Sequence, residues 1–154
     1  MTPLDDTDRA ILRELQRDAS RSINDLAAAV GLSASPVWRR IRRLQEEGVL
    51  EQTVALVNRE AVGLRLVAFA MISLSHHSRA SIDEFEAALN DAPEVQEAHA
   101  VTGDRDFIVR VVVEDIDAYQ RFLARRLLPL SMIRSINTSF GLRVVKRSTA
   151  LPIP

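Results

Sequence analysis

Only Gly31 and Leu32 lie between the end of one stretch of helical apolar spacing and the start of the next, and that short gap most limits how this chain can fold. Ile23, Leu26, Ala27 and Val30 keep helical intervals behind Ser22, which can cap them with Asp25 three residues on. Gly31 then stands where a left-handed closing residue is wanted. Ser33-Ala34-Ser35-Pro36 restarts a helix, with Ser at the cap and Pro in the first turn, where a missing N–H is harmless. Its apolar residues Val37, Ile41 and Leu44 are spaced four and then three apart, and Gly48 is expected to stop it. A further helix is predicted upstream, capped by Asp6 or Thr7, burying Ile11, Leu12 and Leu15 and leaving Arg9, Arg13 and Arg17 solvated. Two short helices across a Gly turn, the second one basic, form the helix-turn-helix pattern.

The basic character is local. The 154 residues carry 20 Lys+Arg against 21 Asp+Glu, a net charge of −1 that argues against a general polyanion binder. Arg39, Arg40, Arg42 and Arg43 nevertheless fall within five positions, and no acid lies between Asp25 and Glu46. The buried stripe leaves Ala34, Ser35, Trp38, Arg39 and Arg42 outside, with Arg40 and Arg43 flanking. In such a motif the amino-terminal half of the second helix enters the major groove of double-stranded DNA. Ser35, Trp38 and Arg39 are therefore expected near bases, Arg40, Arg42 and Arg43 mainly on phosphates, and Ser33 at the DNA beside them. The plainer alternative is a solvated amphipathic helix whose arginines balance nearby acids, with Trp38 packing between domains.

Val49 to Val57 reads as a short extended segment, and 58–65 as a polar connector containing Gly63. The pattern then changes. Strand-like runs at 66–75, 95–101, 107–113 and 133–146 alternate with helical spacing at 81–90 (Ile82, Phe85, Leu89) and 115–128 (Ile116, Tyr119, Phe122, Leu123, Leu127). The order β-α-β-β-α-β is that of a ferredoxin-like sandwich with helices on one sheet face. The expected organisation is α+β: a winged helix-turn-helix domain at 1–50, a hinge strand at 51–65, a βαββαβ domain at 66–150 and a loose tail at 151–154. A sheet with one bare face must be covered, and pairing with a second copy does so economically.

Chemistry-bearing patterns are few. With no Cys there is neither a thiolate metal site nor a cysteine nucleophile. His76 and His77 are adjacent, so on a strand they would point to opposite faces, and His99 stands alone; no metal and no cofactor are expected. Five scattered Gly make no phosphate loop, and no Ser is set in a nucleophile elbow. No run approaches a membrane helix and the first residues lack a signal core, so a cytoplasmic protein is expected. The remaining feature is Thr102-Gly103-Asp104-Arg105-Asp106-Phe107, where a Gly turn exposes N–H groups beside two carboxylates. Such a loop can receive a small zwitterion, or it can be a hairpin turn with solvated charges.

Leu4-Asp5-Asp6-Thr7-Asp8-Arg9-Ala10-Ile11-Leu12, Leu15-Gln16-Arg17-Asp18, Leu32-Ser33-Ala34-Ser35-Pro36-Val37, Arg40-Ile41-Arg42-Arg43-Leu44 and Gly48-Val49-Leu50 together resemble the amino-terminal signature of the Lrp/AsnC (feast/famine) transcription regulators. The resemblance continues from Gly63 to Lys146. It implies a DNA-binding regulator, not an enzyme, built as homodimers through the sheet and assembled further into octamers. It also implies an amino-acid effector held between dimers by a Gly-x-x-Asp loop. Gly103 and Asp106 match that loop, with Thr102 and Asp104 belonging to the same segment, while Thr138 and Ser139 match a polar stretch that helps close the site. Two rival readings stay open: a siroheme-decarboxylase-like enzyme subunit, which resembles the same family, and an amino-acid-binding assembly module without specific DNA targets.

Overall fold

The computed structural model describes residues 3–154 and divides into two compact units, one of residues up to Leu56 together with Val145–Pro154 and one of Val57–Val144. In the first, α1 (Asp6–Arg17), α2 (Ile23–Val30) and α3 (Ala34–Glu46) bury Ile11, Leu26, Ala27 and Val37 together. The first helix starts one residue earlier than its sequence suggests. Asp5 is the cap, its carboxylate accepting the Asp8 N–H at 2.8 Å while Asp8 accepts the Asp5 N–H at 3.2 Å. This is a capping box with Asp in place of the longer Glu.

The turn between α2 and α3 follows from its residues. Ser22 Oγ accepts the Asp25 N–H, and Gly31 takes φ 71°, letting the Leu32 N–H reach back to the Ala27 carbonyl at 2.9 Å. Ser33 caps α3 by position only, because its side chain makes no capping bond. Residues 51–58 form no strand, so the expected wing and hinge strand are not paired within the chain. The final residues are not loose: the Leu151 N–H donates to Gln16 Oε1 at 2.6 Å, and Arg13 donates to the carbonyls of Ile153 and Pro154.

The second unit is a four-stranded antiparallel sheet in the order β2-β3-β1-β4, from β1 (Leu66–Leu74), β2 (Val95–Ala100), β3 (Phe107–Val113) and β4 (Ile133–Phe140). Two helical segments, α4 (Arg79–Asn90) and α5 (Ile116–Phe122), complete the βαββαβ order. Alternation along the strands sends Ala68, Ala70 and Ile72 with Phe107, Val109 and Val111 into the core, where Phe85 packs against Phe107 with ring centres 4.7 Å apart and planes tilted by 49°. The opposite face carries Phe69, Met71 and Ile108, and among the described residues of this unit it is left bare, with Phe69 and Ile108 exposed.

Two elements depart from the expected bounds. The last strand ends at Phe140, not Lys146, because Phe140 pairs with Ala68 and the Gly141 N–H bonds Val67; β1 starts at Leu66 and offers little beyond that. The helix at α5 opens into one π turn over Leu123–Leu127. Five α-helical residues would carry Leu127 roughly 140° away from Phe122. The wider turn, closed by the Leu128 N–H on the Leu123 carbonyl, keeps both residues buried. Ile116, expected inside, is exposed. No helix among the described residues is long and apolar enough to cross a membrane.

Candidate DNA-recognition helix and effector loop

Helix α3 turns two different faces outward. Ser35, Trp38, Arg39 and Arg42 stand exposed at intervals of three to four, which places them along one side, and Ser33 precedes them in the open turn. Trp38 is 52% exposed, so it does not serve as a core residue of its own unit, and the Arg42 guanidinium lies 5.5 Å from its ring centre. Arg42 also approaches Glu46 at 3.7 Å, an exposed pair of little energetic weight. Arg39 makes no ion pair among the described residues, and so remains the least committed cation of the four.

Arg40 and Arg43 do not stand free as phosphate-facing charges. Both turn toward Asp8 of α1, whose side chain is fully buried: Arg40 Nη1 donates to Oδ1 at 2.8 Å and Arg43 Nη2 to Oδ2 at 2.5 Å. Arg40 also bonds Asp5 at 2.6 Å. These acids raise the Arg40 pKa, the Asp8 hydrogen bond contributing most, while the Asp8 N–H and then Arg40 hold Asp5 below its usual value. Arg40 and Arg43, expected mainly on phosphates, are thus already engaged within their own unit, and a cation paired inside the domain has less charge to offer outside. Their sequence signal lay upstream, because Asp8 is in phase with Ile11, Leu12 and Leu15 and so falls on the buried side of α1.

The loop between β2 and β3 is held by Asp106. One carboxylate oxygen accepts the Leu74 N–H at 2.7 Å and the other meets His77 Nε2 at 2.8 Å. Its pKa is lowered, first by the Leu74 N–H and then by His77. With both oxygens engaged, Asp106 anchors the loop to the end of β1. Gly103 takes φ 112°, as a tight turn requires, and Thr102, Gly103 and Asp104 are exposed. Asp104 is the carboxylate that has no partner among the described residues. Arg105 reaches under the sheet to Ser135 Oγ at 3.3 Å.

Thr138 and Ser139 do not share a face. Thr138 pairs with Ala70 on the helix side and bonds the Tyr119 hydroxyl at 2.7 Å, whereas Ser139 pairs with Phe69 on the bare side. Within one chain they cannot both line one surface with the loop. The histidines are likewise separate: His77 is on Asp106, His76 on Ser75, and His99 lies 3.9 Å from Glu97. No cluster of three potential metal ligands occurs among the described residues.

Comparison with known proteins bears on this geometry in both units. Residues 4–51 match the winged helix-turn-helix DNA-binding model and residues 67–151 the Lrp/AsnC ligand binding domain. The chain is 36% identical over 150 residues to the DNA-binding transcriptional activator DecR of Escherichia coli K12, covering 97% of this chain and 99% of that protein. It is 39% identical to the leucine-responsive regulatory protein of Rhizobium meliloti, over 97% of this chain and 96% of that one. Among solved structures, an AsnC family regulator from Agrobacterium tumefaciens superposes with a TM-score of 0.92 at 38% identity, covering 97% of both chains. A Neisseria meningitidis transcriptional regulator solved as an L-Met complex gives 0.92 at 33%, again over 97% of both. Each of these four proteins is named as a regulator, which favours the regulator reading over the decarboxylase one. With a DNA-binding helix pair in one unit and the family's ligand-binding fold in the other, the chain belongs to the Lrp/AsnC family of DNA-binding transcriptional regulators.

Proposed function

We propose that this regulator reads double-stranded DNA with Ser33, Ser35, Trp38, Arg39 and Arg42, while Arg40 and Arg43 hold α3 against α1. The observation that carries this division is the pairing of Arg40 and Arg43 with buried Asp8, against the exposure of the other five. Ser33 and Ser35 leave room for the backbone to approach base edges, and Arg39 is placed to reach a guanine or a phosphate. The second copy of the chain covers the bare sheet face at Phe69, Met71 and Ile108, giving a cytoplasmic homodimer with two recognition helices, and dimers assemble further to an octamer.

The effector in this reading is an amino acid, taken by the loop of Thr102, Gly103 and Asp104. Loop N–H groups meet its carboxylate, Asp104 meets its ammonium and Asp106 keeps the loop in place. Ser139, on the bare face, and Thr138, on the helix face, would contribute from different copies. Effector binding changes assembly or helix spacing in proportion to its differential affinity for the two states.

Fluorescence anisotropy on DNA upstream of the protein's own gene, against scrambled DNA, tests both halves with and without an amino-acid mixture. The expected result is a preference between the two DNAs that persists as salt rises and shifts with the mixture. Arg39→Ala should narrow the preference, and Asp104→Ala should remove the shift while leaving the preference. Equal affinity for both DNAs would leave the assembly-module reading.

A further inference from the structure

At the end of β3 remote from the effector loop, a cleft of about 270 Å³ opens between the strand end, α5 and the turn before β2. That volume suits a ligand of amino-acid size. Its lining combines apolar Val113, Ala118 and Phe122 with Glu94, Glu114 and three arginines, Arg121, Arg125 and Arg126. None of the three arginines has an ion pair or hydrogen bond among the described residues. Two of them lie on the π turn, which the spacing of Phe122 and Leu127 imposes. A π turn is an unusual element that recurs beside binding sites.

Glu94 supplies the complementary need. Its Oε2 is buried and has no hydrogen-bond partner, a condition that native structures rarely leave unanswered. The lining thus asks for a donor at Glu94 and for anionic groups at the arginines. Three positive and two negative side chains leave an excess of one positive charge, which a ligand of net charge −1 neutralises. An acidic amino acid has that composition: two carboxylates and one ammonium.

We propose that this cleft is a second small-molecule site of the sensing unit, taking an acidic amino acid with its carboxylates on the arginines and its ammonium on the Glu94 carboxylate, whose unpartnered Oε2 turns outward from its buried position to meet it. It is separate from the loop at 102–106, because the two stand at opposite ends of the seven-residue β3, roughly 20 Å apart at about 3.4 Å per residue. The site stands whether or not the loop holds an effector.

Equilibrium dialysis of the full chain with labelled L-glutamate tests it, with succinate and L-leucine as comparison probes. The expected result is saturable L-glutamate binding, at least tenfold tighter than succinate, which lacks the ammonium, and than L-leucine, which lacks the second carboxylate. The double variant Arg121→Ala/Arg125→Ala should lose at least tenfold, and these exposed side chains can be removed without touching the core. Glu94→Gln should weaken L-glutamate and narrow its advantage over succinate. Binding should persist in Asp104→Ala, which disables the loop. Absence of saturable binding, equal binding of the three probes, or binding lost in Asp104→Ala but kept in the arginine variant would each overturn the proposal. The DNA preference and its response to the amino-acid mixture are read separately, so failure here leaves the reading of α3 and the loop untouched.

Discussion

Replacing Asp8 by Asn should loosen the recognition helix without touching its outer surface. The side chain is fully buried and takes three donors: Arg40 at 2.8 Å, Arg43 at 2.5 Å and the Asp5 N–H at 3.2 Å. Removing one partner of a buried ion pair costs about 3–5 kcal/mol when the orphaned charge stays buried. Here Arg40 and Arg43 keep 28% and 34% of their side-chain surface in solvent, so both can rehydrate once released. An amide also preserves one acceptor for Asp5, so about 2–3 kcal/mol is expected for Asp8→Asn. Asp8→Ala should reach about 3–4 kcal/mol, because it also removes one arm of the capping box. In a unit of this size that is a fall in Tm of roughly 20–30 °C. Urea unfolding is the assay, and Trp38 is the only Trp of the chain, so its fluorescence reports this unit. Arg39→Ala is the control, expected within about 0.5 kcal/mol of the parent because Arg39 is exposed and unpaired. An Asp8→Asn protein as stable as that control would refute the clamp.

Acid should act on the same corner. Asp5 sits below its ordinary 3.8 when folded, so its stabilising effect is complete above that value and lost as pH falls through the lower folded value. Trp38-detected stability should therefore stay level from about pH 7 to about pH 5 and decline only below about pH 4; a decline beginning near neutrality would contradict the assignment. Burial raises the pKa of Tyr119, the only Tyr, against the smaller opposing effect of its bond to Thr138. Phenolate absorbance should thus show a midpoint above 10.0 in the folded protein, and a midpoint at or below that value would place the ring in water. Gly31→Ala should cost roughly 1–2 kcal/mol in urea unfolding: φ is 71° and no atom crowds the added carbon, so the penalty is backbone strain alone. No measurable cost would mean the turn relaxes.

What the sequence displayed and what it concealed divide along physical lines. Local signals were sufficient for α2, its Gly31 turn and α3, because caps and apolar spacing act within a few residues. Strand alternation was sufficient for the βαββαβ order. Asp8 was legible only in part: its phase with Ile11, Leu12 and Leu15 puts it on the buried side of α1, but the arginines of α3 that pair with it there come from a distant segment. The end of β4 depends on where its neighbour β1 begins, which lies far away in sequence. Thr138 and Ser139 look like one polar pair in a sequence, yet strand geometry sends them to opposite faces. The carboxylates of the loop looked equivalent until Leu74 and His77 engaged Asp106 and left Asp104 open.

A dense arginine cluster need not mean strong attraction to the DNA backbone, and salt dependence can tell the two apart. Each neutralised phosphate contributes about −0.9 to the slope of log K against log salt concentration. If α3 offered all four arginines, a dimer with two such helices would engage about eight phosphates and give a slope near −7. With Arg40 and Arg43 turned to Asp8, only Arg39 and Arg42 remain, and the slope should be near −4 or shallower. The shallow value fits a chain whose net charge is −1, because little long-range attraction is then available and discrimination must come from groups touching the bases. Anisotropy titrations of the parent at four or more salt concentrations decide the matter. A slope near −7 would return Arg40 and Arg43 to the phosphates and require that DNA break their pairing with Asp8. A slope near −4 that Arg40→Ala leaves unchanged would establish them as positioning residues, acting on DNA through the angle at which α3 is held.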